Sequence, residues 1–153
     1  MVQRDGRRLP LEVRTREAPD GRTIIGIDTR DDADYPFTVE ISLQDVGGPS
    51  AGTMFALGIV DKLTPGSLTG GRHIAGTGTI DDTGKVGAIG GITQKMVAAR
   101  DAGATVFLSP ARNCAEALRT RPEGLRLVKA RTLSTTVRAL DLIREGRSGV
   151  PRC

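Results

Sequence analysis

Ser50 and Lys95 are the residues whose types and surroundings could carry nucleophilic chemistry. Ser50 follows a tight turn, Gly47-Gly48-Pro49, and precedes an apolar run, Met54 to Val60, that reads as a helix. A serine at such a junction has two uses. Its hydroxyl oxygen can cap the helix by accepting from a free main-chain N–H. It can also be a nucleophile, placed where the helix dipole and unpaired N–H groups would stabilise a developing oxyanion. Lys95 stands three residues after Ile92 and four before Ala99, on the apolar side of the helix that follows Gly90-Gly91. An ammonium deprived of water by apolar neighbours gives up its proton more readily. The neutral amine can then take a proton from a serine hydroxyl, a pairing that needs no histidine. Thr77, in Ala75-Gly76-Thr77-Gly78-Thr79, is a third candidate: a hydroxyl flanked by glycines that permit close approach, able to hold the amine in place. On the residues alone, the capping role of Ser50 and a solvated role for Lys95 stay open.

The elements that must position these groups follow from periodicity and turn signals. After a turn at Arg4-Asp5-Gly6, Leu9, Leu11 and Val13 alternate with charged residues and predict a strand. Pro19-Asp20-Gly21 is a turn, and Arg22 to Arg30 predicts a second strand that pairs with the first as a hairpin. Asp31 to Asp34 is an acidic loop without the ligand spacing of a calcium site. Pro36 to Leu43 alternates as a third strand leading into the glycine turn. The helix after Ser50 extends to about Lys62 and stops at Thr64-Pro65-Gly66. A strand over His73 to Ile80, a turn at Asp81 to Gly84 and a return strand to Ile89 come next. Ile92 to Ala102 predicts a helix with Ile92, Met96 and Val97 on one side, stopped by Gly103. Thr105 to Leu108 predicts a strand, Asn113 to Leu118 a short helix, Leu125 to Lys129 a strand, and Thr132 to Arg144 a closing helix. This order gives an α/β (α+β) domain with a mixed sheet, packed helices and an N-terminal β-hairpin.

Composition narrows the chemistry. A chain of 153 residues with 38% hydrophobic and 26% charged residues is sized and composed for one globular domain. With three Phe, one Tyr and no Trp, the core must be aliphatic, and single-stranded nucleic acid has few rings on which to stack. The net charge is +4, with arginines scattered along the chain and clustered mainly at the two ends, where they read as solvated charge; no nucleic-acid partner is expected. No apolar stretch is long enough to span a membrane. Cys114, in a predicted helix, reads as a small apolar packing residue, and with Cys153 it forms neither a metal pattern nor a disulfide framework. His73, the single histidine, reads as a strand-edge residue. No metal and no cofactor are expected.

Three runs then read together: Gly48-Pro49-Ser50-Ala51-Gly52; Thr77-Gly78-Thr79-Ile80 with Gly84-Lys85-Val86; and Ile89-Gly90-Gly91-Ile92 leading to Lys95 and Ala98-Ala99. In order and spacing they resemble the proteolytic domain of Lon proteases, over about residues 36–145. Val106 to Pro110 and Asn113 resemble the strand and loop that follow the lysine helix in that family. The resemblance implies a serine peptidase that hydrolyses peptide bonds in protein substrates, with Ser50 as nucleophile, Lys95 as base and Thr77 as the hydroxyl that contacts the lysine. The turn through Leu57, Asp61 to Gly66, and Asn113 to Ala117 resemble the bacterial PDZ-Lon branch, which lacks an ATPase. That branch implies ATP-independent endopeptidase action, a membrane anchor and PDZ domain ahead of the protease, a protease domain outside the cytoplasm, and a homo-oligomer, commonly a hexameric ring. Residues 1–16 resemble the trailing end of a PDZ region, residues 17–147 form the Lon-type domain, and 148–153 a C-terminal tail. Two positions depart from ATP-dependent Lon: Gly47 stands where an acidic residue is common, with Asp45 two residues earlier, and Thr79 stands where a glutamate often follows Thr-Gly.

Two other function classes fit parts of the sequence. Gly47 and Gly52 have the glycine spacing of a phosphate-binding loop and Thr53 supplies a hydroxyl beside it, but the lysine of such a loop is missing. A non-catalytic assembly domain of the same fold would keep the architecture and not react at Ser50.

Overall fold

The computed structural model describes residues 2–4, 7–10, 14–17, 19, 21, 23–25, 38–41 and 48–153. The acidic loop 31–34, Asp45, Gly47 and most of the strand expected over 36–43 lie outside these residues; within that strand, 38–41 are exposed and without regular structure. The chain divides into two units, Met1–Thr38 and Val39–Cys153.

The first unit holds two short antiparallel hairpins. β1 (Val2–Arg4) pairs with β2 (Arg7–Leu9) around Asp5-Gly6, with Arg4 opposite Arg7. β3 (Thr15–Glu17) pairs with β4 (Thr23–Ile25), with Glu17 opposite Thr23. The single long strand expected over residues 9–16 is thus divided. Pro10, which has no N–H to give a ladder, follows β2 directly. β3 runs across Arg16, where the PDZ-like segment was expected to end.

The second unit is built on a parallel sheet in the order β5-β8-β9. Its elements are α1 (Gly52–Leu63), β5 (Ile74–Gly76), β6 (Thr79–Ile80), β7 (Val86–Gly87), α2 (Ile92–Asp101), β8 (Val106–Pro110), α3 (Cys114–Arg119), β9 (Arg126–Ala130) and α4 (Leu133–Arg144). β8 is buried along its whole length, as a central parallel strand covered on both faces must be. Its side chains sort by period two. Val106 and Leu108 join Val128, Leu57, Ala139, Leu140 and Ile143 in a core under α1 and α4. Phe107 joins Leu127, Ile92, Met96 and Ala117 in a second core under α2 and α3. The result is three layers, helices on both faces of the sheet, with β6 and β7 as a separate antiparallel hairpin.

Local chemistry ends the elements where the sequence indicated. Thr64 closes α1, its N–H and hydroxyl both donating to the Val60 carbonyl at 3.0 and 2.7 Å. Thr132 and Thr135 form a reciprocal capping box that starts α4. The Asp81 carboxylate ties the β6–β7 turn by accepting from the Thr83 hydroxyl and N–H and from the Lys85 N–H. These bonds, the Thr83 hydroxyl foremost, hold its pKa below the ordinary carboxylate value.

Three expectations change. The strand over 73–80 is broken at Thr77-Gly78 into β5 and β6. Val97 is exposed rather than inward, since a helix with Ile92 and Met96 buried turns that position to solvent. Cys114 is not a free packing residue: it is disulfide-bonded to Cys153, with Cα atoms 5.0 Å apart. The last residues run back along β9, where Arg152 bridges Val128 and the Pro151 carbonyl accepts from the Lys129 N–H at 3.1 Å. Sequence spacing could not show this pairing, because 39 residues separate the two cysteines and only the docking of the tail on β9 brings them together.

Candidate active site

Ser50 lies in a single 3-10 turn, Pro49–Ala51, that runs directly into α1. Pro49 presets the turn, and Gly48 before it takes a positive φ of 81°. The serine does not cap the helix. The N-cap of α1 is Ala51, and neither it nor Gly48 makes a side-chain cap bond. The Ser50 hydroxyl instead accepts from Lys95 Nζ at 3.0 Å. Two residues forty-five positions apart meet because α1 and α2 both begin at the carboxyl end of β5, on opposite faces of the sheet.

The main chain of Ser50 is held as firmly as its hydroxyl is placed. Its carbonyl accepts from the Gly78 N–H at 2.8 Å and from the Thr77 hydroxyl at 2.9 Å. Thr77 is buried, and its own N–H donates to the Leu108 carbonyl of β8 at 3.1 Å. The hydroxyl of Thr77 was expected on the lysine; its hydrogen bond goes to the serine backbone. The break between β5 and β6 is what makes this possible. It leaves the Gly78 N–H and the Thr77 hydroxyl to bond to the 3-10 turn while the Thr77 N–H stays on β8. Gly78 has φ 151°, and a Cβ there would lie 2.7 Å from Thr53 Oγ1 and 2.8 Å from Val86 Cγ1.

Thr53 completes the junction. It is fully buried; its N–H donates to the Gly78 carbonyl at 3.0 Å and its hydroxyl to the Thr79 carbonyl at 3.1 Å. A phosphate-loop reading would turn this hydroxyl toward a nucleotide-bound metal; here it is sealed in the packing between α1 and β6. Its signal was a lone hydroxyl at the start of an otherwise apolar run. Asn113 was noticed only as part of a resembling loop. Its carboxamide accepts from the Ile89 N–H at 3.0 Å and donates to the Ile89 carbonyl at 2.9 Å.

Lys95 is half-buried. It and Ser50 open on a cleft of about 470 Å³ whose walls include Met54, Ala75, Ala98, Ala99 and Phe107. The cleft is thus apolar except for one hydroxyl, one amine and Thr77, an arrangement suited to receive an uncharged group beside the serine. His73 is exposed ahead of β5 and does not line it. No helix among the described residues is long and apolar enough to cross a membrane.

Comparison with known proteins agrees with the geometry. The model of the Lon protease (S16) C-terminal proteolytic domain matches residues 43–140, which include Ser50, Thr77, Lys95 and Asn113. The chain is 40% identical over 79 residues to a Lon protease of Clostridioides difficile (strain 630), covering 52% of this chain and 10% of that protein. It is 44% identical over 66 residues to a Lon protease of Citrifermentans bemidjiense, covering 43% of this chain and 8% of the relative. Lon protease 1 of Herpetosiphon aurantiacus is 38% identical over 93 residues, 60% of this chain and 11% of that protein. The chain therefore spans about a tenth of the length of these relatives.

Proposed function

Because the chain belongs to the family of Lon protease (S16) C-terminal proteolytic domains, we propose that it is a serine endopeptidase in which Ser50 and Lys95 form the catalytic dyad. The observation that carries this reading is the 3.0 Å separation of Lys95 Nζ and Ser50 Oγ, within reach for direct proton transfer. Lys95 takes the proton of Ser50 as the serine oxygen bonds to the carbonyl carbon of a peptide. Main-chain N–H groups at the Ser50 turn, at the positive end of α1, receive the developing oxyanion. Lys95 passes the proton to the leaving nitrogen, and the C–N bond breaks. Water then attacks the acyl group, Lys95 accepts its proton, and the serine oxygen takes the proton back as the acid leaves. Thr77 acts through Ser50: it fixes the carbonyl of the nucleophile and so the direction of its side chain.

We further propose that the cleavage is independent of ATP, that the substrates are proteins or peptides, and that the chain works as a homo-oligomer, all from its resemblance to PDZ-Lon proteins. On the same resemblance we propose that the domain lies outside the cytoplasm and that residues 1–16 are the end of a PDZ region. The Cys114–Cys153 disulfide supports that compartment, since such bonds persist in oxidising surroundings.

The test is hydrolysis of a fluorogenic peptide series by the wild type, Ser50→Ala and Lys95→Ala, with folding checked by circular dichroism. Both variants should be folded and keep only the small residual turnover that the oxyanion site and substrate binding sustain without the dyad, and a serine-reactive phosphonate should label only the wild type at Ser50. Turnover by either variant at the wild-type rate removes the dyad. A wild type that neither cleaves nor is labelled, even when assembled, leaves the assembly-domain reading in its place.

A further inference from the structure

We propose that Asn113 is a positioning residue for Lys95. The inference rests on the Ser50–Lys95 dyad proposed above and adds to it the device that fixes the amine. Lys95 reaches Ser50 from the first turn of α2, so its position depends on how that helix starts. The approach is intrinsically loose. Gly90 and Gly91 precede the helix, Gly91 is its N-cap at φ 68°, and no side chain caps it. A Cβ at Gly90 would meet nothing within 4 Å, so packing does not hold the peptide there. The first helical bond, Lys95 N–H to the Gly91 carbonyl, is 3.2 Å and fixes Lys95 only relative to that glycine.

What holds the approach is one residue further back. The Asn113 carboxamide pairs with both main-chain groups of Ile89, at 3.0 and 2.9 Å, as a neighbouring strand would. Asn113 is itself buried, at 6% exposure, so both bonds are shielded from water. It stands just past the carboxyl end of β8, and the residue after it, Cys114, is bonded to Cys153. Cys153 follows Arg152, which bridges Val128 of β9. The clamp is therefore mounted on the central strand and fastened from behind. Ile89 is held through both of its main-chain polar groups, and the two glycines span only the short step from it to Ile92.

Loss of the clamp would leave the amine present but misplaced. Second-layer groups of this kind typically change activity by about 10- to 100-fold. The experiment measures kcat and KM for fluorogenic peptide hydrolysis in Asn113→Ala and Asn113→Asp, alone and combined with Lys95→Ala. Asn113→Asp keeps the shape and the bond from the Ile89 N–H but sets an oxygen against the Ile89 carbonyl, so it stands in if the alanine variant unfolds. Expected is a fall in kcat of about 10- to 100-fold with KM within about twofold. In the Lys95→Ala background, neither change at Asn113 should lower the residual rate further, because there is no amine left to position. The inference is overturned if kcat is unchanged, if only KM moves, or if the loss recurs undiminished in the Lys95→Ala background. The dyad fails separately, and recognisably, if Lys95→Ala alone retains wild-type turnover.

Discussion

Opening the Cys114–Cys153 disulfide should lower stability by about 4 kcal/mol. The bond closes a loop with a sequence separation of 39. Cross-linking a loop of that length removes about 13 cal/mol/K from the unfolded chain, or about 4 kcal/mol at 25 °C. For a domain of this size each kcal/mol moves the melting point by about 2–4 °C, so the expected fall is about 8–16 °C. The perturbation is the double variant Cys114→Ala, Cys153→Ala, with dithiothreitol reduction of the wild type as a second route. Thiol titration in guanidinium should find no free thiol before reduction. Far-UV circular dichroism follows the melt, since the chain has no tryptophan to report it. The folded tail keeps other attachments: Val150 sits in the core at 7% exposure, and Pro151 bonds to Lys129. The variant should therefore melt in one step at a lower temperature, not lose its tail first. Two free thiols in the untreated protein, or a melting point within about 2 °C of wild type after the bond is removed, would refute the reasoning.

Gly78→Ala should destabilise by about 2 kcal/mol or more, because its φ of 151° disfavours a side chain and the new Cβ would press on Thr53 Oγ1 and Val86 Cγ1. A urea midpoint no lower than wild type would count against the described junction. Asp81 gives a pH signature. Its folded pKa lies below the ordinary carboxylate value, so its contribution is present above that ordinary value and is lost as pH falls through the lower, folded one. Asp81→Asn should flatten the acid limb of the stability curve there, and an unchanged limb would show that the turn does not depend on the carboxylate.

The meeting of Ser50 and Lys95 was legible because each residue follows a glycine signal of its own. Ser50 follows its own turn, and Lys95 follows Gly90-Gly91. The strand at Val106–Leu108 was legible from its all-apolar run and the helices around it from their periodicity, whereas the parallel pairing of β5, β8 and β9 was not. Less legible were groups whose role depends on a distant main chain. Thr77 points at the Ser50 carbonyl and Asn113 at both polar groups of Ile89, and no periodicity marks a side chain that bonds to backbone 24 or 27 residues away. The disulfide was hidden for the same reason: β9 alone decides where the tail lies.

That bond also changes what a cut would do. Residues Thr120, Arg121, Glu123 and Gly124 form an exposed stretch between α3 and β9, a natural place for proteolytic nicking. Every residue assigned to the dyad and its supports lies before that stretch, and Cys114 lies before it while Cys153 lies after. A molecule severed there stays in one covalent piece until it meets a reductant, with β9 and α4 still tethered to the half that carries Ser50 and Lys95. A population of such molecules can be cut without shedding parts.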